Sequence, residues 1–250
     1  MPDTRAAIRG VIRAVTGNAV NFVFVGEAGG GKSEIALNFA AALRALGEKE
    51  VHFFDLDMTK PLFRSRDMEA ALLAEGIVVH YQEQFMDAPT TVGGVRVQMN
   101  NANSFTVIDV GGDYIGARAI GGFNQELNRA DTMVYYVLNA FRPWSYDIDH
   151  IDETLAKILG VSHIKLESLH FVNNSNCGPQ TTAEEFLEGA KQLEESLAPY
   201  AKLSFSTVRR EIYHQVKDDK RLVLPLELYM GYPWQEEAKP SFIGIFYISN

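Results

Sequence analysis

Cysteine is nearly missing from this chain. Its 250 residues hold one, Cys177, so no disulfide can close within the chain, and a reducing compartment suits it. The six histidines, at 52, 80, 150, 163, 170 and 214, form no pair at the helical spacing of a metal site. Long apolar runs are absent too. Nothing approaches the ~18 consecutive apolar residues that a membrane span needs. The N-terminus, MPDTRAAIRGVIRAVTGNAV, carries arginines inside its first apolar stretch and does not read as a secretory signal. There is no excess of positive charge: 23 Lys and Arg face 32 Asp and Glu, a formal net charge of −9. That balance argues against a protein that coats nucleic acid. No linker, low-complexity tract or repeat divides the chain. A soluble, cytoplasmic protein of one α/β domain is the expectation.

What is present is an alternation of apolar segments. RAAIRGVIRAV (5–15) repeats apolar residues at helical spacing, and AVNFVFV, ending at Val25, suits a strand buried on both faces. A helix then runs through Ile35, Leu37, Phe39, Ala40 and Leu43 to Gly47, a C-terminal stop. VHFFDLD (51–57) predicts a second strand, DMEAALLAEG (67–76) a helix closed by Gly76, and IVVHY (77–81) another strand. SFTVIDV (104–110) and TMVYYVLN (132–139) predict buried strands separated by the glycine-rich GGDYIGARAIGG. YDIDHIDETLAKILG reads as helix, LESLHFVNN (166–174) as strand and TTAEEFLEGAKQLEESLA (181–198) as a long amphipathic helix. FIGIFYIS (242–249) reads as a last strand at an edge. Such alternation predicts a doubly wound, mostly parallel sheet flanked by helices.

The chemistry sits at one turn. Gly26-Glu27-Ala28-Gly29-Gly30-Gly31-Lys32-Ser33 satisfies G-x-x-x-x-G-K-[ST], after a predicted strand and at the start of a predicted helix. Glycines let successive backbone N–H groups converge on a phosphate, and the helix N-terminus adds partial positive charge. These eight residues, with Glu34 next on the helix, are the candidate nucleotide cradle. Lys32 is the candidate for the β- and γ-phosphates and Ser33 Oγ for Mg²⁺.

A phosphate turn needs carboxylates at neighbouring strand ends. Asp109, in TVIDVGGD, closes a hydrophobic strand, where an ionised Asp is costly unless a cation compensates it. It is the candidate Mg²⁺ partner. The same stretch reads D-x-x-G, which offers the N–H of Gly111 or Gly112 to a γ-phosphate and a segment able to reorder when that phosphate leaves. Asp55 and Asp57, in FFDLDMTKP, end the other strand. In extended backbone they share one side, and hydrolysis needs a carboxylate that orients the attacking water.

GEAGGGKS, DLDMTKP and IDVGGD, in this order, resemble the MinD and ParA group of SIMIBI-class P-loop ATPases, over roughly residues 18 to 210. DLDMTKPLFRSRD and DVGGDYIGAR look like an uncharacterised ParA-like branch of that group. The resemblance implies a P-loop NTPase fold and a slow, client-stimulated ATPase that commonly forms an ATP-sandwiched homodimer. By motif it assigns Asp57 to the attacking water, Asp55 to the metal's water shell and Asp109 to the Walker B position. It also implies that Asn173 or Asn174, in LHFVNNSN, meets the base. An amide offers adenine a donor and an acceptor together, and plain turn chemistry would use Asn there too. The guanine signature N-K-x-D is absent. Asn139 and Arg142, in VLNAFRP, read as a turn beside the same cleft.

One position departs from the pattern. The group usually places a lysine that reaches the partner's phosphates where this chain has Glu27. Arg64 and Arg66 are the candidate replacement cations. Metal-delivering relatives bridge their dimers with paired cysteines, which Cys177 alone does not supply. The tail KPSFIGIFYISN is short and nearly uncharged, unlike a basic amphipathic membrane helix. RREIYHQVKDDKRL interleaves acids with its bases and reads as a solvated helix face, not a nucleic-acid patch. Three functions fit: an ATP-driven switch acting on a protein client, for instance in assembly or maturation; a small-molecule kinase or ATP-dependent ligase resembling dethiobiotin synthetase; and a nucleotide-sensing binding module with little turnover.

Overall fold

The computed structural model describes residues 2–57, 66–80 and 94–230. In chain order the elements are α1 (Pro2–Thr16), β1 (Asn21–Val25), α2 (Lys32–Leu46), β2 (Glu50–Leu56), α3 (Arg66–Ala74), β3 (Ile77–His80), α4 (Val95–Met99) and β4 (Ser104–Val110). Then follow α5 (Asp113–Ile120), α6 (Asn124–Leu127), β5 (Thr132–Leu138), α7 (Ile148–Ser162), β6 (Leu169–Asn173), α8 (Ala183–Leu197), β7 (Leu203–Arg209), α9 (Arg210–Val216) and β8 (Val223–Leu226). The strands form one eight-stranded sheet in the order β3-β2-β4-β1-β5-β6-β7-β8. Every pairing between them is parallel. Helices cover both faces, which is why β1 and β4 are buried along their whole length and read as unbroken apolar runs.

The period of two in β1 divides the core. Phe22 and Phe24 face α1 and α2, whereas Val23 and Val25 face the side covered by α4 to α8. On the first side Phe24 packs on Phe39 of α2 and Tyr135 of β5, with ring centroids 5.4 and 5.2 Å away. Each such ring, fully buried, contributes on the order of 2–3 kcal/mol. This packing anchors the strand that delivers the phosphate turn and the helix that leaves it. β1 lies between β4 and β5, with β2 and β3 on one side of the sheet and β6 to β8 on the other, so the strand order reverses here, the switch point at which open α/β sheets bind ligands.

Two segments differ from the sequence reading. The strand expected over 166–174 begins at Leu169, because Leu166–Ser168 forms a 3-10 turn. The glycine-rich stretch after Asp109 is mostly helix, and Asp113 at its first position turns its own Oδ1 onto the N–H groups of Ile115 and Gly116. β7 and β8 have no counterpart in that reading. The strand expected over 242–249, the tail judged against membrane anchoring, Arg64 and Tyr81 lie outside the described residues. Among the described residues no helix is long and apolar enough to cross a membrane.

Candidate nucleotide site at the C-terminal ends of the strands

Gly26 leaves β1 at φ 136°, and a Cβ there would stand 2.7 Å from the Val137 carbonyl oxygen on β5. Gly31 has φ 88°, and its Cβ would fall 2.1 Å from Asn174 Nδ2. Both positions need glycine. Gly31 is also the N-cap of α2 and supplies no capping side chain. The first N–H groups of that helix therefore keep their capacity for an anion. Lys32 is 5% exposed, and its Nζ donates to the Glu27 carbonyl at 3.0 Å, folding the side chain back across the turn. The Glu27 carboxylate accepts from its neighbour's N–H, that of Ala28, at 3.4 Å. Burial pushes that carboxyl up from its ordinary value; the Ala28 bond opposes this and Asp113 adds to it. A carboxylate thus stands in the turn where the resembling group has a lysine.

The acids arrive from the adjacent strands. Asp55 on β2 and Asp109 on β4 are register partners, and Asp109 is in turn the partner of Phe24 on β1. All three therefore project toward the α2 face. Asp109 is 1% exposed. β2 ends at Leu56, and the Asp57 N–H donates to Asp55 Oδ1 at 2.9 Å, so this pair forms a turn where extended backbone was expected. The Asp57 carboxylate nonetheless reaches the β4 loop: a Cβ on Gly111 would lie 3.2 Å from its Oδ1. Gly112 presses on the phosphate turn, with only 2.6 Å between its notional Cβ and Ala28 Cα. The turn, the β2 end and the D-x-x-G loop meet.

Their donor set fits magnesium. Ser33 offers a hydroxyl and Asp55 and Asp109 offer carboxylates, all hard oxygen ligands. No group of three His, Cys, Asp or Glu able to hold a metal occurs among the described residues. Mg²⁺ does not need one, since beside a nucleotide it takes one or two protein oxygens plus phosphates and water.

At the other end of the turn a cleft opens, lined by Gly31, Asn174, Asn176, Gly178, Thr207 and Arg209, among others. Asn173 is fully buried; its Nδ2 donates to Ser206 Oγ at 3.2 Å and its Oδ1 accepts from the Ser175 N–H and hydroxyl. Asn174 donates to the Gly30 carbonyl at 2.7 Å and accepts from Thr207 Oγ1 at 2.6 Å, tying β6 and β7 to the turn. Both amides hold the cleft together, and Asn174 also lines it. Thr207 and Arg209 belong to β7, which the sequence reading did not contain. The Arg209 Nε is buried and has no hydrogen-bond partner among the described residues. Asn139 serves its turn, bonding Phe141 and Asn176. Arg142 does more than close that turn: its Nε lies 4.0 Å from where a Cβ on Gly29 would be.

Glu34 has a role that sequence did not show. Its carboxylate accepts from the backbone N–H of Tyr229 and of Met230, and Asn38, one turn on, brackets Glu227 with two bonds of 2.8 Å. Cys177 is exposed, and its N–H donates to Thr181 Oγ1 at 2.9 Å. Arg66 opens α3. The bases of the 209–221 segment are taken up by acids, Arg210 by Glu227 and Arg221 by Glu194 and Asp219.

No family model matches the sequence, and no curated protein matches it. Solved structures do match the fold. Chloroplast FtsY from Physcomitrella patens superposes with a TM-score of 0.50 at 14% identity, covering 79% of this chain and 65% of that one. FtsY from Mycoplasma mycoides gives 0.50 at 14% identity, covering 76% and 65%. The chain thus spans just under two thirds of the length of those proteins. The eight-stranded parallel sheet flanked by helices is the fold shared with those structures.

Proposed function

We propose that this chain binds ATP with Mg²⁺ and hydrolyses it slowly, as a switch of the MinD and ParA type that acts on a protein client. One observation carries the reading: Lys32 and Ser33, Asp55 and Asp57, and the Asp109–Gly112 loop converge at the C-terminal ends of β1, β2 and β4. Lys32 exchanges the Glu27 carbonyl for the β- and γ-phosphates, and the glycine turn and the first N–H groups of α2 enclose the β-phosphate. Ser33 and Asp109, with Asp55 supporting, hold Mg²⁺. When bound, the ion neutralises charge building on the phosphate oxygens. Asp57 orients the attacking water, and Gly111 or Gly112 follows the γ-phosphate through its N–H. The base enters the cleft between Asn174 and Arg209. Adenine is favoured because Asn supplies both a donor and an acceptor and no N-K-x-D is present.

Isothermal titration tests this directly. Wild-type protein is expected to bind ATP in the presence of Mg²⁺ more tightly than GTP, and Lys32→Ala is expected to lose that binding. Unchanged ATP affinity in Lys32→Ala would falsify the cradle, and a preference for GTP would overturn the base assignment alone.

A further inference from the structure

The surface beside α7 and α8 is indented. An open groove runs beside these helices with an apolar floor: Ile151 and Leu155 of α7, Leu169 and Phe171 of β6, and Leu197 of α8. At its rim Leu166 and Tyr200 are 57% and 74% exposed. The charged side chains that line it are all carboxylates: Asp149, Asp152 and Glu167. None of these three has an ion-pair partner among the described residues. The acids around them do, Asp147 with His150, Glu153 with Lys157 and, on α8, Glu195 with Lys191. Three acids left unpaired around exposed apolar surface are a pattern that charge of the opposite sign completes.

The form of the groove narrows the occupant. A small-molecule site needs buried polar groups that converge on the ligand. Here the lining acids are exposed at the rim. A second copy seated two-fold on the same face would bring one acidic rim against another, a repulsive arrangement. An amphipathic helix with an apolar stripe and basic flanks matches both floor and rim.

The geometry points to this groove as the docking site for a basic amphipathic helix of a protein partner. Its apolar stripe lies against Leu166 and Tyr200 over the groove floor, and its lysines or arginines stand over Asp149, Asp152 and Glu167. The inference does not depend on the nucleotide reading, so it is measured on both the wild type and Lys32→Ala.

The probe is a fluorescein-labelled synthetic peptide of about 18 residues, leucine on one helical face and lysine on the other. Its counterpart carries glutamate for lysine. Fluorescence anisotropy at physiological salt is expected to show saturable one-to-one binding of the lysine peptide only, in both proteins. Asp149→Asn/Asp152→Asn/Glu167→Gln should weaken it about tenfold, roughly a factor of two for each exposed ion pair. Leu166→Ser/Tyr200→Ser should weaken it at least as much through lost apolar contact. Glu184→Gln/Glu188→Gln/Glu195→Gln removes as much charge from exposed α8 positions outside the groove and should change little. All these side chains are exposed, and far-UV circular dichroism verifies the fold. The proposal is overturned if the α8 triple variant costs as much as the groove triple variant, or if Leu166→Ser/Tyr200→Ser binds like wild type. It also fails if sedimentation shows a wild-type dimer that this double variant dissociates, which would assign the face to a second copy.

Discussion

At the scale of the residue, the site depends on side chains absent as much as present. Gly31 holds a left-handed backbone and leaves room for the Asn174 amide, and no other residue satisfies both conditions. Asp57 and Asp109 are both acids at strand ends, yet their placements differ. Asp109, the proposed metal support, is buried in β4 in register with Asp55. Asp57 lies past the end of β2 against the loop of Gly111. A water-orienting group acts chiefly in the transition state, whereas a metal support acts in the ground state too. Asp57→Ala is therefore expected to retain ATP binding and to lose single-turnover hydrolysis by about a hundredfold or more. Asp109→Asn should weaken the Mg²⁺–ATP complex itself. Rapid-quench measurements with limiting ATP decide it: wild-type turnover in Asp57→Ala removes that residue from the chemistry.

At the scale of the element, α2 has two duties. Its first turn closes the glycine turn after β1, and Glu34 and Asn38, four residues apart on one face, strap the segment after β8 by its backbone. The strap carries a pH signature. Burial pushes the Glu34 carboxyl up from an ordinary 4.5 to about 7, against the Tyr229 and Met230 N–H bonds that lower it. A folded value above the unfolded one means that protonation favours the fold. The stabilisation is full below the ordinary carboxylate range and is lost as pH rises toward about 7, by up to about 3 kcal/mol. Glu75, raised to about 7 by burial, contributes with the same sign. Urea unfolding at several pH values between 5 and 8 should show stability falling across this range in wild type and a shallower fall in Glu34→Gln. Equal slopes in the two proteins would refute the role given to Glu34.

At the scale of the molecule, an ATP-dependent dimer of the proposed type would bring two triphosphates face to face, with Glu27 where the resembling group has a lysine. Arg142 lies beside Gly29 on the exposed side of the turn, and its guanidinium has no ion-pair partner among the described residues. Arginine's planar fork suits phosphate. Sedimentation velocity with a non-hydrolysable ATP analogue should show an ATP-dependent dimer that Arg142→Ala abolishes, with monomer ATP affinity kept within about threefold. A dimer that survives Arg142→Ala transfers the role to Arg64 and Arg66, and a monomeric wild type removes the dimer. The sequence by itself determined the glycine turn after β1, the acidic strand ends and the doubly wound sheet, because each is a local pattern. Glycine spacing sets the turn, unbroken apolar runs mark strands covered on both faces, and strand–helix alternation dictates parallel pairing. The resemblance of its motifs also implied that Asn173 or Asn174 meets the base. Only the tertiary structure decided what those amides bond to, since Asn174 meets Gly30 across 144 positions and Glu34 meets Tyr229 across 195. The same holds for Arg142 beside Gly29 and for the groove between α7 and α8. Contacts of that range leave no period and no motif in the chain; they exist only once the core has packed the strands side by side.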